Sequence, residues 1–558
     1  MLLAARPRVL SREVLHETLW PETFVSDTSL ARLVSEVRKA IGDEPHEAKF
    51  VRTAHGYGYA FSGEVRPLTP TRAPRSIAVL PFRDVGSAAA SAGDNGHLVI
   101  GLADAIITEL ARARSLVVRP TGSVLRYQDK TPDVREVGRE LGVNAVLEGQ
   151  FQRSGSRLRL TLQLVAVEDA APVWGTKIDS SMDDLFKMQD EVSRQVARRL
   201  QVELSGGGRL PRSDPATGCY ESYLKGRLHL YRETKPDTFA AIQWFERARD
   251  ADSEFALAWA GLADAYSRLA FIFEPGGGWH ESGEEAADRA LAIDPELPEA
   301  RYVRARLRWS PEGGFDHGGA LRELAATLAV RPGLNEACER VGTILFHLGL
   351  LAEGEFWLRR ALETDPEDTI ALTHLGLCLH YQGREREALD TTLEAGRRSP
   401  SAWAYCQTAL CRIHLGELEA ATEALDAGQS QFDEYAFFHS LRALIAAQQG
   451  DETSALEEVE RTATFDPYGH YHHAQHDVAC ALTALDRVDE ALDWLVESAA
   501  NGFPSPTIFL SDPLLAPLRE QPRFVELTDR LAVEEGAYRE IYNRLLHPLE
   551  AASRESAS

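Results

Sequence analysis

The chain has 558 residues, of which 44% are hydrophobic and 26% charged, with a formal net charge of −25. That length implies several domains, and the composition supplies ample apolar material for real cores, which excludes a disordered chain. No apolar run approaches the ~20 residues that span a bilayer, and no basic-then-apolar leader opens the sequence, so a cytoplasmic protein with no membrane partner is expected. Six cysteines (Cys219, Cys338, Cys378, Cys406, Cys411, Cys480) are scattered without a C-x-x-C pair, which points to reduced, packed thiols. The charge is uneven: residues 1–66 are balanced, and residues 205–558 carry a net −26. An acidic array keeps a large helical surface soluble; it is also repelled by DNA, which would leave only the N-terminal region to bind it.

In chain order, Ser11 to Trp20 reads as a helix capped by Ser11 and closed near Pro21. Ser26 to Asp43 reads as a second, basic amphipathic helix. Ser26 or Asp27 caps its start, Leu30, Val34, Val37 and Ile41 make a buried stripe, and Gly42 stops it. Phe50–Thr53 and Tyr57–Phe61 read as two strands around a Gly-containing turn. Two helices followed by a hairpin form a helix-turn-helix with a wing. The helix suits the major groove, and the hairpin suits a phosphate strand or the minor groove.

Residues 1–63 resemble the winged-helix DNA-binding domain of the OmpR/PhoB type, in the variant of CadC-like one-component regulators. The matching residues are Val14, Leu15, Trp20, Val25-Ser26-Asp27, Leu30, Val34, Val37-Arg38-Lys39, Gly42-Asp43, Arg52-Thr53 and Gly56-x-Gly58-Tyr59. The resemblance implies double-stranded DNA as partner. Its implied contacts are Thr28, Ser29, Arg32, Ser35, Glu36, Arg38 and Lys39 on the recognition helix, with Thr53, His55 and Tyr59 in the wing. His55 stands where the family often has arginine, and Glu36 where it often has a base. The family's opening β-sheet has no counterpart before Leu2-Leu3, so the resemblance implies an N-terminally truncated domain.

A Pro-rich connector, residues 64–75, leads to an α/β region, 76–204. Ser76–Phe82, Leu116–Val118, Ala145–Arg153, Arg157–Val167 and Val173–Ile178 read as strands. Gly101–Ala111, Val134–Leu141 and Leu185–Leu204 read as helices. This region resembles the TolB-like domain that precedes TPR arrays in bacterial regulators and also accompanies nucleotide cyclases and protein kinases. Ile77–Phe82, Gly101-Leu102, Val137–Val143, Leu147-Glu148-Gly149, Trp174 and Gln189-Asp190-Glu191 carry the resemblance, which brings no reaction with it. Arg139-Glu140 reads as a surface ion pair. Residues 205–218 form a second, flexible connector.

From residue 219 the sequence repeats. Pro332, Pro366 and Pro400 are 34 residues apart, with Pro467 a further 67 along, and Gly349, Gly383, Gly416 and Gly450 step by 34, 33 and 34. A 34-residue helix–turn–helix period is the tetratricopeptide signature, and such units are stable only when stacked. Seven or eight repeats are expected over 219–531, with an insertion at Phe273–Trp279 and a cap from Asp512 to Leu531. A helix and tail, 532–558, follow. The expected fold is multidomain and mainly α: a truncated winged helix-turn-helix, an α/β TolB-like domain and an α-solenoid of TPR repeats.

The sequence carries no phosphate loop, no kinase or cyclase motif, no H-E-x-x-H and no nucleophile elbow, so no enzyme activity and no cofactor are expected. His470, His472, His473 and His476 form the one local histidine cluster. It reads as an exposed face of a repeat helix or the lining of a peptide groove, with no metal; His472 and His476, one turn apart, are the pair that could share an ion. The resulting expectation is a soluble one-component regulator that reads DNA through the winged helix and binds a protein or peptide on its repeats, with homodimerisation possible. The alternative is a TolB-like/TPR interaction scaffold with a degenerate DNA-binding domain.

Overall fold

The computed structural model describes residues 1–6, 8–20, 25–43, 48–63, 75–85, 95–128, 130–200, 202, 217–466 and 469–557. The expected helix stop at Pro21, the repeat mark at Pro467 and most of the two connectors lie outside them. The chain divides into two units, residues 1–73 and 74–558.

The first unit runs α1 (Leu2–Ala5), β1 (Leu10–Ser11), α2 (Arg12–Leu19), α3 (Asp27–Ala40), β2 (Val51–Ala54) and β3 (Gly58–Phe61). Its antiparallel sheet has the order β1-β3-β2, pairing Leu10 with Tyr59 and Thr53 with Tyr59. Leu10, Leu15, Leu30, Val34, Val51 and Tyr59 make the core, with Leu2, Ala5 and Trp20 against it. This corrects the expected stripe on α3: Val37 and Ile41 are 43% and 45% exposed. The buried row advances four residues at a time, Leu30 to Val34, and the next position is Arg38. Two glycines are dictated by geometry. Gly56 turns the hairpin at φ +74°, and a Cβ on Gly58 would stand 1.9 Å from the Leu10 carbonyl oxygen.

The second unit opens with an α/β layer: β4 (Ser76–Val79), β5 (Arg83–Asp84), α4 (Gly96–Leu110), β6 (Val117–Val118), α5 (Thr121–Val124), α6 (Val134–Leu141), β7 (Ala145–Ser154), β8 (Arg157–Ala166), β9 (Pro172–Ser181) and α7 (Leu185–Leu200). The sheet order is β6-β4-β7-β8-β9, with β6, β4 and β7 parallel and β7, β8 and β9 antiparallel. β6, β7, β8, β9 and α6 fall close to where the sequence placed them, whereas β4 ends at Val79 and not Phe82, and β5 was not read. α4 starts five residues earlier than expected, because Gly96–Ile100 is nearly all buried.

Eight helix pairs follow: α8 (Thr217–Leu230) with α9 (Lys235–Ala251), α10 (Ala256–Arg268) with α11 (Trp279–Ile293), α12 (Pro298–Arg308) with α13 (His317–Val330), and α14 (Asn335–His347) with α15 (Leu351–Thr364). Then come α16 (Thr369–Tyr381) with α17 (Glu385–Arg398), α18 (Ala402–His414) with α19 (Leu418–Gln429), α20 (Ala436–Gln448) with α21 (Glu452–Thr462), and α22 (Tyr471–Ala484) with α23 (Val488–Ala500). α24 (Pro506–Ser511), α25 (Pro522–Ile541) and α26 (His547–Ala557) end the chain. The glycine period has a direct cause. Gly349, Gly383, Gly416 and Gly450 all adopt the left-handed conformation, φ +73° to +80°, just past the first helix of a pair. The next amide then closes the helix, as Leu350 N–H does on Leu345 O (2.9 Å) and Asp451 N–H on Ala446 O (2.9 Å). In the eighth pair Asp486 takes the same place at φ +60°, and Arg487 N–H bonds Leu482 O (2.9 Å).

Two features depart from the expected beads on a string. First, the α/β layer and the opening repeats share one core, running from Ile77 on β4 to Leu307 on α12. Leu224 of α8 fills the place a Cβ on Gly101 would take. Arg119, buried, donates to Leu141 O (2.6 Å) and Gly142 O (3.1 Å) at the end of α6, and to Glu363 O (2.7 Å) and Thr364 O (2.5 Å) at the end of α15. One guanidinium thus serves the negative ends of two helices, the farther of them 244 residues along the chain from Arg119 itself. Second, the C-terminal segment does more than cap the last repeat. α25 is continuous across the expected boundary at residue 531, and its end returns to the third and fourth pairs. Ile541, Tyr542 and Leu546 join Leu321, Leu324 and Leu345 in one core, and Arg539 pairs with Glu353 (2.9 Å). All six cysteines are free and buried.

Candidate nucleic-acid interface

In the first unit, local chemistry fixes the posture of α3. The Ser11 hydroxyl accepts from Val14 N–H (3.3 Å) and starts α2. Asp27 begins α3 and accepts from Arg12 (2.8 Å), with His16 Nε2 3.3 Å from its other oxygen, so the two helices are tied where they meet. The Arg12 guanidinium holds the Asp27 carboxyl below its usual range. Ser26 occupies the cap position but its side chain makes no cap bond; its hydroxyl lies 2.5 Å from Thr28 Oγ1. At the other end, Asp43 accepts from Lys49 (2.6 Å), Phe50 (3.2 Å) and Val51 (2.8 Å) backbone N–H groups. Burial opposes its ionisation, but those three N–H bonds and Arg38 outweigh it and lower its pKa.

The ten expected contact residues divide sharply. Thr28, Arg32, Ser35, Glu36 and Lys39 are exposed on the outer face of α3, and Ser29 is half-buried beside them. His55 is exposed in the turn of the wing. Three residues do something else. Tyr59 is buried in the core, because it pairs with Leu10 on one side and Thr53 on the other. Arg38 donates to Val51 O (2.6 Å) and Thr53 Oγ1 (2.9 Å), so Arg38 and Thr53 hold the wing to the helix. Sequence reasoning missed Arg52, exposed, and Tyr57, 58% exposed at the wing tip. Strand alternation was the available signal: with Val51 inward, Arg52 points out. The outer face of α3 carries Arg32 and Lys39 against Glu36, which lies 3.4 Å from Arg32, and Arg52 is exposed on β2.

The second unit places its candidates inside. His472, His473, His476 and Asp477 are buried, which overturns their reading as an exposed helix face or groove lining. The superhelix winds so that α22 meets α14 and α16: His473 Nε2 is 3.1 Å from His347 Nε2, and its Nδ1 is 2.8 Å from Tyr381 Oη. His472 and His476 do not share a site. His472 bonds Asn501 O (2.8 Å), and His476 faces Asp512 (3.4 Å). Arg139 and Glu140 are exposed, and Glu140 accepts from the Tyr127 hydroxyl. A cavity of about 190 Å³ remains among α4, α8, α10, α12 and α14; Asp104, Arg227, Asp264 and Arg306 line it.

A three-stranded winged helix with an exposed second helix, joined in sequence to an α/β layer and helix pairs, defines a class: regulator-type domains carried with a helical-repeat array. Residues 1–61 match the family described as transcriptional regulatory protein, C terminal, and residues 73–195 match the second domain of HilA/YgeH-like transcriptional regulators. Among curated relatives, the chain is similar to "Putative adenylate cyclase 3" of Rhizobium meliloti, 30% identical over 42% of this chain and 40% of that protein. It is also similar to the transcriptional regulator HilA of Salmonella typhi (28% identical, 15% of each chain) and to a cholera toxin homolog transcriptional activator of Vibrio parahaemolyticus (38%, 12% of this chain and 25% of that protein). The aligned parts therefore span well under half of these relatives. Among solved structures, YrrB, a TPR protein with an unusual peptide-binding site, is 21% identical with a TM-score of 0.27, covering 39% of this chain and 97% of that chain. A tetratricopeptide repeat protein from Parabacteroides merdae is 15% identical with a TM-score of 0.36, covering 48% and 100%. Overlaps of that size are local, and the repeat assignment rests on the eight helix pairs themselves. No described helix is long and apolar enough to cross a membrane.

Proposed function

We propose that this chain is a DNA-binding transcriptional regulator. The observation that carries the reading is the outer face of α3, with Thr28, Ser29, Arg32, Ser35, Glu36 and Lys39 turned away from the core beside a wing tipped by His55 and Tyr57. Polar side chains at this helical spacing suit base edges, while Arg32, Lys39 and Arg52 suit phosphates. The α/β layer, TolB-like or HilA-like in type, and the repeats would form one body whose outer surface takes a protein or peptide partner, or a second copy of the chain. The reading assigns no catalysis: the sequence shows no nucleotide-cyclase motif beside its likeness to the rhizobial protein. A second reading, an interaction scaffold with a degenerate DNA domain, is favoured by one observation, the Arg32–Glu36 pair that offsets charge on the reading face.

Genome-wide DNA pulldown with the tagged chain separates the two. Enrichment at discrete promoters is expected. Arg32→Ala and Lys39→Ala should each weaken binding about 3- to 10-fold and lower the salt slope by roughly one. Enrichment that neither substitution changes would count against this face of α3 as the reader, and no enrichment at all would leave the scaffold.

A further inference from the structure

Four histidines meet inside the repeat body. His347 ends α14, His470 precedes α22, and His472 and His473 open it. One ring nitrogen from each lies within 4.8 Å of the others. We infer that His347, His470, His472 and His473 form a binding site for one divalent transition-metal ion of the Zn²⁺ class, stapling the fourth helix pair to the eighth.

Three observations carry this. The tautomers of two rings are set by their outer partners. Thr343 O and Asn501 O only accept, so His347 and His472 carry hydrogen on Nδ1, with bonds of 2.7 and 2.8 Å, and expose bare Nε2 lone pairs. An imidazole fixed through its outer N–H on a carbonyl, with a free inner nitrogen, is the usual support of a metal-ligating histidine. The spacing also fits. His347 Nε2 lies 3.1 Å from His473 Nε2 and 3.3 Å from His470 Nδ1, and the edge of a tetrahedron with ~2.0–2.1 Å Zn–N bonds is about 3.3–3.4 Å. Finally, His472 is 1% exposed and its Nε2 has no hydrogen-bond partner, the kind of buried orphan that a bound cation would satisfy.

The surroundings agree with the ligating form. Phe346 and Phe503 wall the cluster. An all-imidazole set suits Zn²⁺, Cu²⁺ or Ni²⁺ and does not suit Mg²⁺ or Ca²⁺.

The test uses the full chain, stripped with chelator and titrated with Co²⁺ and then Zn²⁺. One equivalent of Co²⁺ should give four-coordinate visible absorption without a thiolate charge-transfer band. Zn²⁺ should displace it and raise the unfolding midpoint by on the order of 3–5 °C. His347→Gln and His473→Gln should each weaken binding at least about 10-fold, Tyr381→Phe less, and His229→Gln not at all. Absence of binding to the wild-type chain overturns the site, whatever the variants do. So does binding that survives in folded H347Q and H473Q, or a thiolate band, which would move the ion to one of the cysteine-containing groups, His380 with Glu385 and Cys411 or His476 with Cys480 and Asp512.

Discussion

The two units handle polar side chains in opposite ways. In the winged helix the polar face of α3 stays in water, and a six-residue core holds it there. In the repeat body the polar faces of α14, α16 and α22 turn inward and meet one another, so histidine, glutamate and tyrosine are buried among rings. The first arrangement is local: Arg38, Asp43 and Gly58 act on partners within 50 residues. The second is remote: His347 meets His473 across 126 residues of chain. A face exposed on one small domain suits reading another molecule, whereas a face sealed inside a closed array suits holding the array in shape.

The comparison is broken most easily at its smaller side. Gly58→Val would drive a side chain into the Leu10 carbonyl, at a cost of about 3 kcal/mol or more, and would detach β1. Limited proteolysis should then cut residues 1–63 while the rest stays intact. Next, Arg119→Ala strips four carbonyls of a buried donor. It should cost the second unit about 2–4 kcal/mol in chemical denaturation and leave DNA binding unchanged.

A pH series sharpens the contrast. His472 is held at about 3, and His317 and His414 at about 4, by burial. Unfolding frees these rings to take protons at ordinary values, so the unfolded state binds more protons below about pH 6.5. Stability of the second unit is full above that value and should fall steadily from pH 6.5 toward 4. Asp477, which burial pushes up, works in the opposite direction over part of that range. The helical signal on falling pH, at fixed temperature, checks the sign. The smallest effect is at Asp486. Replacing it with glycine relieves a left-handed residue at the cost of chain entropy, a net gain of about 0.5 kcal/mol readable as a small rise in midpoint.

Sequence reasoning reached what short-range spacing encodes. The wing, the Ser11 cap, the longer sheet strands and the glycine period were legible because each follows from a few adjacent residues. The glycine series ended at Gly450 because Asp486 carries the same turn with a different side chain. Tyr59 and Arg38 were misplaced for a simpler reason: helical and strand phase had to be anchored on which neighbour is buried, and Val37 resembled core. The histidine cluster showed three-quarters of itself in one segment. Its fourth member, His347, looked like an ordinary helix end, and nothing short of the winding of the array brings it across.

The return of α25 to the third and fourth pairs changes what kind of object the repeat body is. An open array behaves as a one-dimensional chain of neighbours, in which units melt in sequence from the ends and copies can be added or lost. Here the end of α25 is a neighbour of the middle, so that end of the array is packed and does not stand open to fray. Deleting or inserting one 34-residue unit between the fourth and eighth pairs would shift the contacts that span it, such as His347 with His473 and Leu345 with Tyr542, out of register, and calorimetry of the body should show one cooperative transition in place of a staircase.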